Sequence, residues 1–354
     1  MVITDKYSGK FLLIFLLALI FCIASFMWLR FINTKSEQQE RTPQPIAKTA
    51  GTLTDTKPAD NRRTGSAFID NKNQDLSTLT TDALWKNLLA SLQDGKQQIG
   101  LENALIERLR NEPDSIIYQE LLTQFRQASL PVPAQQVLVS LLGEVGDYKA
   151  AETLISLINE ALLDKADVKF AAFDAINKFT PESWQEHPNT ELSPLFESAW
   201  ETYNAEFWPS IAQVMASIGT PSTLDIFIAA LTDNTNPERV AIVKQAMTNL
   251  ANPTLIPKLA DLLANPVTEN VQLASADALA NMGQLAAATA IFDWSVQADK
   301  VNIDWLKHVY ETTANTTPEF IAYLETNLAG QQFANPTIKQ TVSLVLKEIK
   351  SGVE

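Results

Sequence analysis

Histidine and cysteine are nearly absent from the 354-residue chain, which has His187, His308 and the single Cys22. A structural zinc site takes four N or S ligands and a catalytic one usually three from the protein. With no HExxH or CxxC spacing in the sequence, no metal site is expected. One cysteine also excludes an internal disulfide framework. Glycine is scarce, at 11 residues, which argues against a collagen-like chain and an all-β chain dense in tight turns. Basic residues are outnumbered 27 to 41, for a net charge of −14. A nucleic-acid binder needs cations to displace counterions from phosphates, so nucleic acid is not expected as a partner. No G-x-S-x-G elbow and no GxxxxGKS or GxGxxG loop occurs. Nucleophile and phosphate-cradle chemistry therefore lack their usual signals, and neither a catalytic residue nor a cofactor is expected.

The N-terminal part carries one long apolar run, FLLIFLLALIFCIASFMWL from Phe11 to Leu29. At about 1.5 Å per residue it approaches the roughly 30 Å hydrocarbon thickness of a bilayer. Trp28 and Arg30 suit the interface at its end. No A-x-A-like cleavage site follows, so the expectation is a retained single-pass transmembrane helix over 11–32 behind a short tail, 1–10. Residues 33–77 have few large apolar side chains and are rich in Thr, Gln, Lys, Asp and Pro. Such a composition buries too little surface to offset the entropy of ordering, so a disordered tether is expected. Lys6 and Lys10 precede the span while Arg30, Lys35 and Arg41 follow it, which leaves the positive-inside rule undecided. An N-terminal anchor commonly acts as an uncleaved signal, and no cysteine follows Cys22. Both favour a periplasmic C-terminal part held at the inner membrane.

Past Thr78 the pattern is helical. TTDALWKNLLASL, ENALIERLRNE, AQQVLVSLLGEV and YKAAETLISLINEALL place apolar residues at i, i+3, i+4 and i+7, the spacing of one helix face. These segments are also self-similar. At a 32-residue offset Val214, Ala246 and Ala278 share a column, as do Met215, Met247 and Leu279. Gly219, Ala251 and Gly283 form a column of small residues at a helix end, and Phe227, Leu259 and Ile291 align in the following helix. A shift of 73 residues adds Leu142, Val145, Gly146, Leu154 and Ile158. Helix pairs repeated at this period cannot bury their faces singly but share a core when stacked. The expected fold is therefore all-α, an α-solenoid of seven or eight antiparallel helix pairs over 78–354.

The runs SIAQVMASIGTPSTLDIFIAALTD and VKQAMTNLANPTLIPKLADLLAN resemble HEAT repeats of the short type, A-x-x-A-L-x-x-I-G followed by a proline turn and L-x-x-x-L. The resemblance covers most of 100–350 and encodes packing without a reaction. It implies a solenoid and, by analogy, protein–protein binding. The regular aspartate–arginine ladder of long HEAT scaffolds is not evident.

One region stands apart. Residues 179–238 contain no Lys or Arg but nine acids. Phe179, Trp184, Phe196, Trp200, Tyr203, Phe207 and Trp208 are threaded among the first six. An acidic, aromatic surface would attract a basic segment and offer rings as anchors or cation–π faces. The binding candidates are Trp184, Glu197, Trp200, Glu201, Glu206 and Trp208. The competing reading places the rings in the core, since Trp200, Tyr203 and Phe207 fall at i, i+3 and i+7. The charge splits accordingly: residues 1–77 carry 10 basic and 7 acidic groups, residues 78–354 carry 17 and 34. The expected function is a non-enzymatic, membrane-anchored scaffold that docks a partner protein, with a basic segment as the candidate contact. The alternative is an enzyme or enzyme-accessory factor with a site on the concave face near His187 or His308.

Overall fold

In a computed structural model of the chain, residues 76–95, 99–113, 115–180, 190–202, 205–233 and 235–351 are described. The tail, anchor and tether expected before residue 76 lie outside them. The described residues form sixteen α-helices and no strand. No helix among them is long and apolar enough to cross a membrane.

Helix α1 (Thr81–Gln93) follows a 3-10 turn at Leu76–Thr78, and the Thr80 hydroxyl caps it by accepting from Ala83 N at 3.2 Å. Helix pairs come next. They are α2 (Ile99–Asn111) with α3 (Ile117–Arg126), α4 (Val132–Val145) with α5 (Tyr148–Asn159), and α6 (Ala166–Asn177) with α7 (Ser193–Thr202). Then come α8 (Trp208–Ile218) with α9 (Pro221–Thr232), and α10 (Pro237–Met247) with α11 (Ile256–Ala264). The last pairs are α12 (Glu269–Asn281) with α13 (Leu285–Gln297) and α14 (Ile303–Thr316) with α15 (Glu319–Asn327), before a final helix α16 (Pro336–Ser351). Each first helix packs on the first helices of the flanking pairs, from α2 on α4 through to α14 on α16. Second helices form their own row: α3 meets α5, α5 meets α7, α7 meets α9, α11 meets α13 and α13 meets α15. This is the arrangement that the 32-residue period predicts.

The aligned columns are the core. Val214, Ala246, Ala278, Met215, Met247, Leu279, Phe227, Leu259 and Ile291 are all buried, and they belong to one apolar cluster that runs from Leu84 to Val345. Burying a Leu or Phe side chain contributes about 1.5–3 kcal/mol, and here that contribution depends on the neighbouring pair being in place.

Gly146, Gly219 and Gly283 end α4, α8 and α12 in the left-handed region, with φ of +72°, +60° and +66°, where a side chain is strained. Ala251 occupies that column in the intervening repeat and the turn changes. There α10 stops at Met247, and buried Asn252 completes the corner. Its Nδ2 donates to Gly219 O at 2.7 Å and its Oδ1 accepts from Thr254 N at 2.9 Å. Gly143 has a different reason: a Cβ there would lie 2.6 Å from Ala175 Cα and 3.0 Å from Ala175 O. That missing atom lets α4 and α6 touch backbone to backbone.

Polar ties join residues one repeat apart. Arg126 binds Glu160 in bidentate fashion at 2.8 and 2.6 Å. The Tyr118 hydroxyl donates to Asp147 at 2.8 Å. Asn249 reaches Gln213 at 2.9 Å, Gln284 reaches Ala251 O at 2.9 Å and Asn335 reaches Asp299 O at 2.8 Å. The ladder exists with mixed chemistry, which is why no single residue type marks it in the sequence.

Candidate functional site: an occupied cation seat and an open groove

The base-free stretch, 179–238, begins just after α6 and runs through α7, α8 and α9 to the first turn of α10. Proline at 209 in the first turn of α8 and the 3-10 turn Ala205–Phe207 divide it into short pieces. Trp184 and Tyr203 lie outside the described residues. Trp200 and Phe207 are both buried, although the α7 helix ends between them, so they do not form one helical stripe. The Trp200 and Trp208 rings are 5.7 Å apart at 51°, and Phe227 meets Trp200 edge-on at 6.4 Å. Among the described rings of this stretch, Phe179, Phe196, Trp200 and Phe207 are core, as the competing reading of the sequence has it.

The cation expected from a partner is supplied from within. Arg239 is in the first turn of α10, where Asn236 Oδ1 accepts from its backbone N at 3.0 Å. Its guanidinium lies 4.4 Å from the Trp200 ring centre and 5.1 Å from that of Trp208. It also donates to Trp200 O at 3.2 Å and Glu201 at 3.4 Å. A cation over an aromatic face contributes about 0.5–2 kcal/mol. Trp200 Nε1, Trp208 Nε1 and Arg239 Nε are buried, with no acceptor among the described residues.

The three candidate carboxylates are likewise engaged. Glu206 pairs with Lys169 at 2.7 Å and Glu201 with Arg239 at 3.4 Å. Glu197 accepts from Ser193 at 2.7 Å, Ser222 and Thr223 at 2.9 Å, and Thr220 at 3.1 Å. Thr220 caps α9, so these bonds fasten α7 to the start of α9. Partial burial opposes ionisation of Glu197, but the hydroxyls outweigh it and hold the carboxyl below the usual glutamate range. Asp225 outside this group pairs with Lys258. Bases flanking the stretch in sequence thus fold back onto it across one repeat, a pairing that linear inspection does not reveal.

His187 lies outside the described residues. His308 is exposed on α14, within electrostatic reach of Asp277 of α12. Burial raises the Asp277 carboxyl, opposed by His308, Trp305 and Lys244. Among the described residues no group of three His, Cys, Asp or Glu is placed to hold a metal ion.

Two open grooves lie elsewhere, and neither involves a candidate residue from the sequence. The larger, about 690 Å³, runs between α2 and α4. Ile106, Val137 and Leu141 give it apolar lining, while Glu102, Glu107 and Gln136 are among its polar groups. The second, about 590 Å³, lies between the 76–82 turn and the start of α3. Nothing in the composition of α2 distinguished it: one Glu is helical filler until its surroundings are known.

No family model matches the chain, and no curated protein matches it. Among solved structures it is similar to human deoxyhypusine hydroxylase in complex with glycerol, at 14% identity and a TM-score of 0.26, over 68% of this chain and 97% of that one. A likeness at that TM-score carries no argument about this chain.

Proposed function

We propose that the chain is a non-enzymatic helical-repeat scaffold that docks a partner protein, held at the inner membrane by residues 11–32 with its repeats on the periplasmic side. One observation carries the reading: consecutive first helices α2, α4 and α6 offer open surface while most candidate side chains are engaged inside the stack. The α2–α4 groove is on that surface. Gln136 in its lining donates to Asp167 O of α6 at 3.3 Å. One turn further along α6 stands Phe170, 67% exposed. Large apolar side chains beside a concave polar lining are features of docking surfaces. Tethering at a membrane raises the local concentration of such a surface near membrane partners, so a modest contact suffices.

The test is fractionation of the source cells followed by purification of the tagged full chain in mild detergent. The expected result is recovery in the membrane fraction with one protein partner at constant stoichiometry through size exclusion. Recovery as a lone chain, with catalytic turnover dependent on His308, would contradict the scaffold reading.

A further inference from the structure

We infer that the α2–α4 groove takes a partner segment that pairs Lys or Arg side chains with aliphatic ones, an amphipathic basic helix laid between the two first helices. The inference rests on the scaffold reading and supplies its partner chemistry. It also moves the basic contact away from 184–208, where Arg239 already fills the cation seat.

The argument begins with Glu102. It stands in the first turn of α2. It lines the groove, and its Oε1 is buried without a donor from any described residue. A buried carboxylate oxygen left unpaired carries a desolvation penalty that a hydrogen-bond donor removes. Neither cation of α2 answers it: Arg108 donates to Ser77 O at 2.6 Å and to Leu79 O at 3.4 Å. Arg110 turns to the end of α4, donating to Glu144 O and, at 3.4 Å, to Val145 O. Glu144 is itself paired with Lys178. Glu107, exposed on the same wall, has no ion pair among the described residues. Two uncompensated carboxylates thus flank apolar lining from Ile106, Val137 and Leu141. The complement of that surface is a donor-bearing cation spaced one turn from an aliphatic side chain, the pattern of helix-in-groove recognition.

The experiment uses the full chain in zwitterionic nanodiscs. The probe is a 14-residue peptide of Leu and Lys in helical amphipathic order with a central benzophenone, and a Leu–Glu peptide serves as comparison. Photo-adducts are mapped by mass spectrometry. The Leu–Lys adducts are expected within residues 99–145 and drop at least tenfold in the Glu102→Gln/Glu107→Gln variant. In Glu238→Gln/Glu319→Gln, which changes net charge equally on distant exposed helix starts, they remain. The Leu–Glu peptide gives none there. Adducts spread along the acidic body, or equal losses in both double variants, overturn the groove. Should the co-purified partner stay bound to Glu102→Gln/Glu107→Gln, the groove fails while the scaffold reading stands. A lone wild-type chain instead defeats the scaffold reading.

Discussion

Glu197 shows how a side chain that reads as part of an acidic surface becomes a fastener. Its four hydroxyl donors include buried Ser193 and Thr223, so removing the acceptor leaves polar groups unsatisfied as well as freeing the start of α9. Glu197→Ala is expected to destabilise the chain by about 1–3 kcal/mol, read as a lower urea midpoint at unchanged slope. The pH dependence has a definite sign. The folded carboxyl lies below its ordinary value, so on acidification the unfolded chain takes up the proton first. The contribution is present above the ordinary glutamate pKa of about 4.3 and fades as pH falls through the lower folded value. Wild-type midpoints should therefore drop more steeply below that pH than those of Glu197→Gln. Parallel profiles would show that the hydroxyl cage does not discriminate charge.

At the scale of elements, the α4–α6 contact sets how closely repeats stack. Gly143→Ala adds a methyl that meets the Ala175 backbone at 2.6 Å, and backbone yields less readily than a side chain. A loss of about 1–3 kcal/mol is expected, while Gly330→Ala, with open space around it, changes little; thermal melts of both compare them directly. The helices themselves were legible from the sequence because a 3.6-residue apolar period and a 32-residue repeat both report burial. Val214, Met215 and Phe227 needed nothing else. Gly143 was not legible, because its reason is an atom of Ala175 one repeat away. The Ala251 column was read as small, yet the change of turn it causes depends on Asn252 crossing to Gly219. The candidate site was the least legible part: the acids at 201 and 206 find their bases at 239 and 169, separations that only the stacking of pairs brings together.

For the whole molecule, the negative charge is best understood as a surface sorted by the stack. Glu201, Glu206 and Asp225 are met by bases of neighbouring repeats, and Glu160 and Glu325 by Arg126 and Lys350. Surface pairs of this kind contribute little stability individually, about 0–1 kcal/mol, but they decide which carboxylates remain free to meet a partner. Glu102 and Glu107 are among those without an ion pair from the described residues, and both line the α2–α4 groove. An array in which each pair contacts only its neighbours offers extended surface, and a docking role should concentrate on one row of helices. The decisive measurement places a photo-crosslinking amino acid at Phe170 of α6 or at Leu285 of α13, both exposed, in full-length chain expressed in its own cells. The scaffold account predicts one dominant protein adduct from position 170, absent from position 285; the groove inference adds that it is lost in Glu102→Gln/Glu107→Gln. Equal adducts from both positions, or none from 170, would contradict it.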